Sequence, residues 1–153
     1  MAYCFFICTT AAFSQVKTTV KPYDINEIMR LVKLGSNKEA NKFLVSQNYK
    51  VDNTYTGNND ASYLYINYRK PNSQDYYNLQ LHHNKVFGIV FATNSKQEYN
   101  AALKITLNLG FVLYYTYTLN PDISRFYRKG NTKIIFTNDY MTDKYEIIIQ
   151  VGQ

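Results

Sequence analysis

Two histidines and two acids are the residues of this sequence whose types could support catalysis. His82 and His83 are its only histidines, and Asp60 and Asp122 hold the same place in two copies of a repeated phrase. A histidine beside a carboxylate can serve as a general base in hydrolysis. Adjacent residues of a regular strand point to opposite faces, however, so the two histidines should not bind one metal ion together. We therefore predict no metal site and no cofactor.

Other catalytic signatures are missing from the sequence. It contains no G-x-S-x-G nucleophile motif and no glycine-rich phosphate loop. Several of its eleven acids stand at predicted helix starts, where they have a structural role. A hydrolase acting on an envelope polymer, with His82 or His83 as the base and Asp60 or Asp122 in support, is therefore the alternative function rather than the leading one.

Basic residues next to tyrosines form a second candidate site. The triplet Tyr-Arg-Lys occurs twice, each time where a predicted strand meets a turn. If both turns lay at one end of a sheet, their cations and rings would suit an acidic partner or stacking on a sugar. Solvated turns that keep sheet edges soluble are the simpler alternative. The predicted ligand-binding residues are Tyr68, Arg69, Lys70, Tyr127, Arg128 and Lys129.

The sequence repeats itself in two places. "TYTGNNDASYLY" at residues 54–65 matches "TYTLNPDISRFY" at residues 116–127 at seven of twelve positions. Upstream, residues 36–44 and 95–103 share the S-x-x-E spacing of a capping box, which begins a helix. The shift between copies grows from 59 to 62 residues, so the second helix, or the segment that leaves it, should be three residues longer, close to one turn. We interpret the phrase as a turn, with a duplicated ligand-contact loop as the alternative, because Asn and Asp are ordinary turn formers.

Each repeat predicts a helix followed by antiparallel strands, and a further helix is predicted at residues 24–35, from Asp24 to Gly35. Strand signals cover residues 49–56, 62–69, 76–83, 86–92, 111–117, 124–129, 132–137 and 144–151. The last strand of each copy is the most apolar and should lie near the sheet centre. The predicted fold is α+β: two pseudo-symmetric helix-plus-antiparallel-meander units, residues 36–92 and 95–151, sharing one sheet, with an additional N-terminal helix.

A duplicated helix and meander in a small exported protein is similar in outline to the beta-lactamase inhibitor protein fold. The likeness implies an architecture only, because the sequence has no motif that matches an inhibitory residue. We expect the helices to pack on one face of the sheet, and the second face to be tyrosine-rich and partly exposed.

The first residues predict export. Residues 2–8 are apolar, small residues follow, and the first charge is Lys17. This pattern is typical of a secretory signal peptide at residues 1–14, although its basic n-region is missing; a buried strand or helix of the mature fold is the alternative. Residues 15–23 would then form a linker and residues 24–153 a single domain. We predict a periplasmic or secreted protein whose mature chain contains no cysteine and no transmembrane span.

Composition narrows the remaining function classes. The net charge is +6, and the chain has sixteen tyrosines and no tryptophan. A basic balance suits acidic glycans, anionic surfaces or nucleic acid, and export disfavours nucleic acid. The leading interpretation is a non-catalytic binding or interaction module of the bacterial envelope or exterior. Its partner would be an envelope protein or an acidic glycan, held by an open sheet face or by the basic turns.

Overall fold

A computed structural model of the protein describes residues 24–58 and 60–152. The predicted signal peptide, residues 1–14, and the predicted linker, residues 15–23, lie outside the described residues. The described part has an α+β fold with three helices and one antiparallel sheet of eight strands. No helix in the described ranges is long and apolar enough to cross a membrane.

A side-chain cap begins each of the three described helices, which are α1 (Ile25–Leu34), α2 (Asn37–Ser46) and α3 (Lys96–Asn108). Asp24, Ser36 and Ser95 each accept a hydrogen bond from the backbone N–H three residues later, at 3.1, 3.3 and 3.2 Å. The predicted helix starts are confirmed. The second repeat's helix has 13 residues against 10 in the first, as the spacing of the repeats predicted.

The eight strands are β1 (Lys50–Thr56), β2 (Tyr63–Arg69), β3 (Tyr76–His82), β4 (Lys85–Thr93), β5 (Val112–Leu119), β6 (Asp122–Lys129), β7 (Thr132–Asp139) and β8 (Lys144–Val151). Their order across the sheet is β1-β2-β3-β4-β8-β7-β6-β5, and every neighbouring pair is antiparallel. Strands β1–β4 and β5–β8 are thus two meanders that meet where β4 pairs with β8. The expected central position of these two apolar strands is confirmed.

The main core lies between the helices and one face of the sheet. Ile28 and Leu31 of α1 and Leu44 of α2 are fully buried against strand residues such as Ile89 and Ile149. Each such side chain contributes about 1.5–3 kcal/mol through burial. Helix α1 packs on β4 and β8, so it covers the sheet centre rather than an edge. We call the face that carries Ile89 and Ile149 the helix face, and its reverse the open face.

The two copies of the repeated phrase lie on the hairpins β1–β2 and β5–β6. Asp60 Oδ1 accepts from the Ser62 backbone N–H at 2.8 Å, and Asp122 Oδ1 accepts from that of Tyr140 at 2.9 Å. Both acids therefore satisfy backbone groups, as the turn interpretation expects. Their partners differ in sequence distance: Asp60 bonds within its own turn, whereas Asp122 bonds to the turn between β7 and β8.

Candidate ligand-binding face

The two Tyr-Arg-Lys triplets do not come together. Register carries Arg69 across β3 to Ala92, near the end of β4, and carries Lys129 across β7 to Val151, at the end of β8. Because β4 and β8 run antiparallel, these positions are at opposite ends of the sheet. The condition under which the triplets would form one basic site is therefore not met.

Both tyrosines of the triplets lie in the core on the helix face. Tyr68 is 1% exposed and its hydroxyl donates to Asn41 Oδ1 at 2.9 Å. Tyr127 is 5% exposed and meets the Phe136 ring edge-on, with centroids 5.7 Å apart. Burial raises the pKa of Tyr68. Neither ring is placed to stack on a ligand.

The cations of the second triplet are engaged with nearby backbone. Arg128 Nε donates to the carbonyl oxygen of Gly130 at 3.0 Å, and Lys129 Nζ donates to that of Leu109 at 2.6 Å. These contacts tie the β6–β7 turn together and fix the end of α3 to it. Both cations therefore already have hydrogen-bond partners within the protein.

The histidines occupy the turn between β3 and β4. His82 ends β3, and His83 follows it with a φ of 48°, in the left-handed region. The two rings are 4.2 Å apart rather than on opposite faces, because the turn at His83 breaks the alternation of a regular strand. Within residues 24–58 and 60–152, no group of three or more His, Cys, Asp or Glu side chains could hold a metal ion.

Asp60 and Asp122, the acids proposed to assist the histidines, lie at different distances from them. Hydrogen bonds from Ser62 lower the pKa of Asp60, with smaller contributions from His82 and His83. Asp122 begins β6, at the end of the sheet opposite His82. A depression of about 560 Å³ is lined by both histidines, and no carboxylate is among its described lining residues. An acid and a base therefore do not converge in this depression.

The open face carries a row of three linked amides. Asn53, Asn67 and Asn78 are register partners on β1, β2 and β3. Asn78 Nδ2 donates to Asn67 Oδ1 at 2.7 Å, and Asn67 Nδ2 donates to Asn53 Oδ1 at 2.6 Å. Asn78 is only 7% exposed, so its bond to Asn67 satisfies a buried amide. We call these three residues the amide ladder.

Tyrosine rings stand on both sides of the amide ladder. The Tyr55 and Tyr65 rings are stacked, with centroids 5.1 Å apart, and the Tyr55 hydroxyl lies 3.5 Å from Asn78 Nδ2. On the other side, the Tyr76 hydroxyl donates to Glu146 Oε1 at 2.9 Å. Burial, followed by the nearby Glu146 carboxylate, raises the pKa of Tyr76, so this phenol remains a hydrogen-bond donor.

Two cations border the Tyr76 ring. The Arg69 guanidinium carbon lies 6.0 Å from the ring centroid, and Lys144 Nζ lies 5.8 Å from it. Arg69 Nε also donates to Asp52 Oδ2 at 2.7 Å. Lys144 makes no ion pair with any residue that the structure describes. Lys144 is therefore the cation best placed to receive a negative group from outside. Lys70, the remaining cation of the first triplet, lies 5.9 Å from the Tyr49 ring centroid.

These groups line a depression of about 530 Å³ on the open face, within the size range of small-molecule sites. Its lining residues are Tyr55, Asn67, Arg69, Tyr76, Asn78, Gln80, Val90, Lys144, Glu146 and Ile148. Arg69 is the one predicted site residue among them. Sequence reasoning missed the amide ladder, since its three asparagines are far apart in the chain and only the strand register brings them together.

Gly88 allows a second amide contact at one side of this depression. Gln150 Nε2 donates to Gln80 Oε1 at 3.3 Å, across the intervening strand β4. A Cβ atom at Gly88 would lie 2.6 Å from Gln80 Oε1. The absence of a side chain there therefore lets the two glutamines meet.

Comparison with protein-family models, curated proteins and solved structures finds no match to this chain. The likeness in outline to the beta-lactamase inhibitor protein fold accordingly gains no support from a solved structure. The chemistry of the open face is then the basis for a functional assignment.

Proposed function

We propose that this protein is a non-catalytic binding module of the bacterial envelope or exterior, and that its open-face depression binds a short acidic glycan. The observation that carries the proposal is the amide ladder, whose members Asn67 and Asn78 line the depression together with Tyr55, Tyr76 and Lys144. The hydrolase alternative lacks comparable support, because no carboxylate is among the described residues that line the depression beside the histidines.

The chemistry of a sugar fits these groups. Sugar hydroxyls both donate and accept hydrogen bonds, and an asparagine side chain offers both functions. A sugar ring also has an apolar C–H face, which packs on a tyrosine ring such as Tyr55, 49% exposed. A depression of this volume admits roughly two sugar rings.

An acidic sugar is favoured over a neutral one by the charge at the rim. Lys144 has no ion-pair partner among the described residues, whereas Arg69 is paired with Asp52 and Glu146 accepts from Tyr76. A carboxylate near Lys144 would form a charge-assisted hydrogen bond, which is roughly twice as strong as a neutral one. Because the depression is open to solvent, we expect a dissociation constant of roughly 10 µM to 1 mM.

We also infer that the two halves of the sheet are pseudo-symmetric units derived from one duplicated segment. Two observations support this: each half has a helix followed by four antiparallel strands, and the repeated phrase lies on the outermost hairpin of each. The amide ladder belongs to the first half, whereas Lys144, Glu146 and Ile148 of β8, in the second half, complete the depression. The second half would then be a copy that kept the architecture and lost, or never gained, the polar row.

Export remains part of the proposal and rests on the predicted signal peptide at residues 1–14. Mass spectrometry of the protein recovered from the medium or the periplasm would determine its N-terminus. We expect cleavage ahead of Gln15. An exported product that still begins at Met1 would contradict the predicted leader.

Titration calorimetry with a tetragalacturonate, and with a neutral tetrasaccharide of glucose as comparison, tests the binding proposal. We expect the acidic tetramer to bind about tenfold more tightly, and Tyr55→Ala to weaken its binding by at least about tenfold. Tyr115→Ala is the matched control, because Tyr115 is similarly exposed (52% against 49%) and lies on the open face in the other half of the sheet, away from the depression. It should leave binding unchanged.

Two results would count against the proposal. If neither tetrasaccharide gives a binding heat at about 5 mM, the proposed glycan binding is contradicted. Equal weakening by Tyr55→Ala and Tyr115→Ala would show that binding is not located in the depression. Thermal unfolding of each variant verifies that the comparison is made between folded proteins.

A further inference from the structure

The edge strand β5 leaves an apolar and uncharged margin on the sheet. All eight of its residues are exposed, with Val112 at 67% and Leu119 at 63%. No charged residue occurs from Ile105 through Pro121. An edge strand presents unpaired backbone N–H and C=O groups, which can pair with another strand. Apolar side chains without charges add a surface that favours such pairing.

The opposite edge is built differently. Strand β1 carries Lys50 and Asp52, and Asp52 forms an ion pair with Arg69 on the neighbouring strand at 2.7 Å. Charged side chains on an edge are a common device against strand addition. The protein thus protects one edge of the sheet and leaves the other without this protection.

The apolar margin continues past the end of β5. Asp122 Oδ1 holds the Tyr140 backbone N–H at 2.9 Å, which places the β7–β8 turn next to the β5–β6 hairpin. On that turn, Tyr140 is 51% and Met141 is 78% exposed. The β5 margin is the set Val112, Leu113, Tyr114, Tyr115, Tyr117, Leu119, Tyr140 and Met141. At roughly 100 Å² each, these residues expose about 800 Å².

We propose that β5 pairs antiparallel with β5 of a second copy of this chain, which joins two sheets edge to edge. The exposed area is the upper limit of what pairing can cover, and it is of the order of the roughly 800 Å² that each partner contributes to a standard interface. A two-fold axis across β5 makes the contact self-complementary and closed. Each chain has a net charge of +6, and an uncharged margin is where two such chains meet without opposing like charges.

Sedimentation equilibrium of the full chain from about 1 to about 200 µM tests this pairing. We expect a reversible dimer, and we expect Thr118→Lys to raise its dissociation constant by at least about tenfold. Thr56→Lys is the matched control. Thr56 and Thr118 are the same residue of the repeated phrase, both are exposed, and their register partners are the aliphatic residues Leu64 and Ile123.

The Thr56→Lys variant should remain dimeric. Equal dissociation of both variants would overturn the assignment to β5, as would a wild-type protein that stays monomeric throughout the range. Hydrogen exchange gives a second readout that needs no variant: the outward amides of β5 should become protected as the wild-type concentration rises. Protection that is independent of concentration would mean that a segment of the same chain, such as residues 2–8, covers β5. That result would contradict pairing with a second copy.

Discussion

The two halves of the open face place different chemistry on the same row of the sheet. Cross-strand register forms a continuous row whose members are Asn53, Asn67, Asn78, Val90, Ile148, Ile135, Phe126 and Tyr115. The first three donate and accept amide hydrogen bonds, whereas the last two are aromatic rings with centroids 5.4 Å apart. The strand register places all eight side chains on one row. Whether a buried position in that row can be polar depends on whether its neighbours can form hydrogen bonds with it.

Burial is not what separates the two halves. Asn78 is 7% exposed and Ile135 is 9% exposed, so both positions are nearly dry. Asn78 is acceptable there because Asn67 accepts its amide proton, and Ile135 is acceptable because its row neighbours are Phe126 and Ile148. Exchanging the residue types should therefore have unequal costs.

Ile135→Asn should have the largest effect on stability. The new amide would be buried between Phe126 and Ile148, neither of which has a polar side-chain atom to pair with it. Lost apolar burial and an unpaired polar group together should lower the free energy of unfolding by about 3 kcal/mol. Urea denaturation measures this change. A loss below about 1 kcal/mol would mean that this half of the face can accommodate polar groups as well.

Asn78→Ile should be less harmful to stability and more harmful to binding. Asn67 Oδ1 loses its donor, which costs about 1 kcal/mol, but the isoleucine regains apolar burial beside Val90. We expect a net loss below about 1 kcal/mol in urea denaturation and no measurable binding of tetragalacturonate. If the variant still binds tetragalacturonate, the amide ladder is not part of the binding site. The difference in stability between the two halves of the open face would be unaffected by that result.

Tyr76→Phe should change how stability depends on pH. Burial and Glu146 raise the pKa of Tyr76, so the folded protein keeps the phenol proton at a pH where the unfolded chain, with a tyrosine pKa near 10, loses it. The unfolded state then binds fewer protons, and stability falls as pH rises above about 10. Tyr76→Phe should flatten this fall between about pH 10 and 11, as measured by urea denaturation at several pH values.

A small cost at neutral pH should accompany that change. The hydrogen bond from Tyr76 to the Glu146 carboxylate contributes about 1–2 kcal/mol. Tyr68→Phe on the helix face is the comparison at neutral pH, where its cost should be smaller because Tyr68 donates to the neutral Asn41 rather than to a carboxylate. A pH dependence of wild-type stability that Tyr76→Phe leaves unaltered would contradict the predicted role.

Asp52→Asn should have the smallest effect on stability. It removes an exposed ion pair with Arg69, which contributes at most a few tenths of a kcal/mol. Loss of the carboxylate leaves the Arg69 charge near Tyr76 uncompensated, so binding of tetragalacturonate should strengthen by about twofold at low salt and return toward the wild-type value at high salt. Weaker binding after this substitution would mean that the carboxylate orients Arg69 rather than competing for it.

Local sequence signals were sufficient for the elements and insufficient for their arrangement. The caps at Asp24, Ser36 and Ser95 were readable because the serine or aspartate and the helix that it begins are adjacent in the chain. The three extra residues of α3 followed from the change in repeat spacing. Apolar runs placed β4 and β8 at the centre, because a strand covered on both faces has little room for alternation.

The site itself depended on long-range register. Tyr68 and Arg69 were both predicted to bind a ligand, but neighbours on a strand face opposite ways, and the fold turns Tyr68 into the core. The antiparallel joining of β4 to β8 sends the two triplets to opposite ends of the sheet, and no local pattern specifies that joining. His83 departs from strand geometry because it is the first residue after β3 and has a positive φ, which begins the turn to β4.

The amide ladder lies in the half of the sheet that is farther from β5. In a pair of chains joined through β5, eleven strand spacings would separate the two β3 strands, or about 50 Å along the sheet. Such a dimer would bind one long polysaccharide at two distant sites. Its affinity for the polymer would then far exceed its affinity for a short fragment, because dissociation would require both sites to release the polymer at the same time.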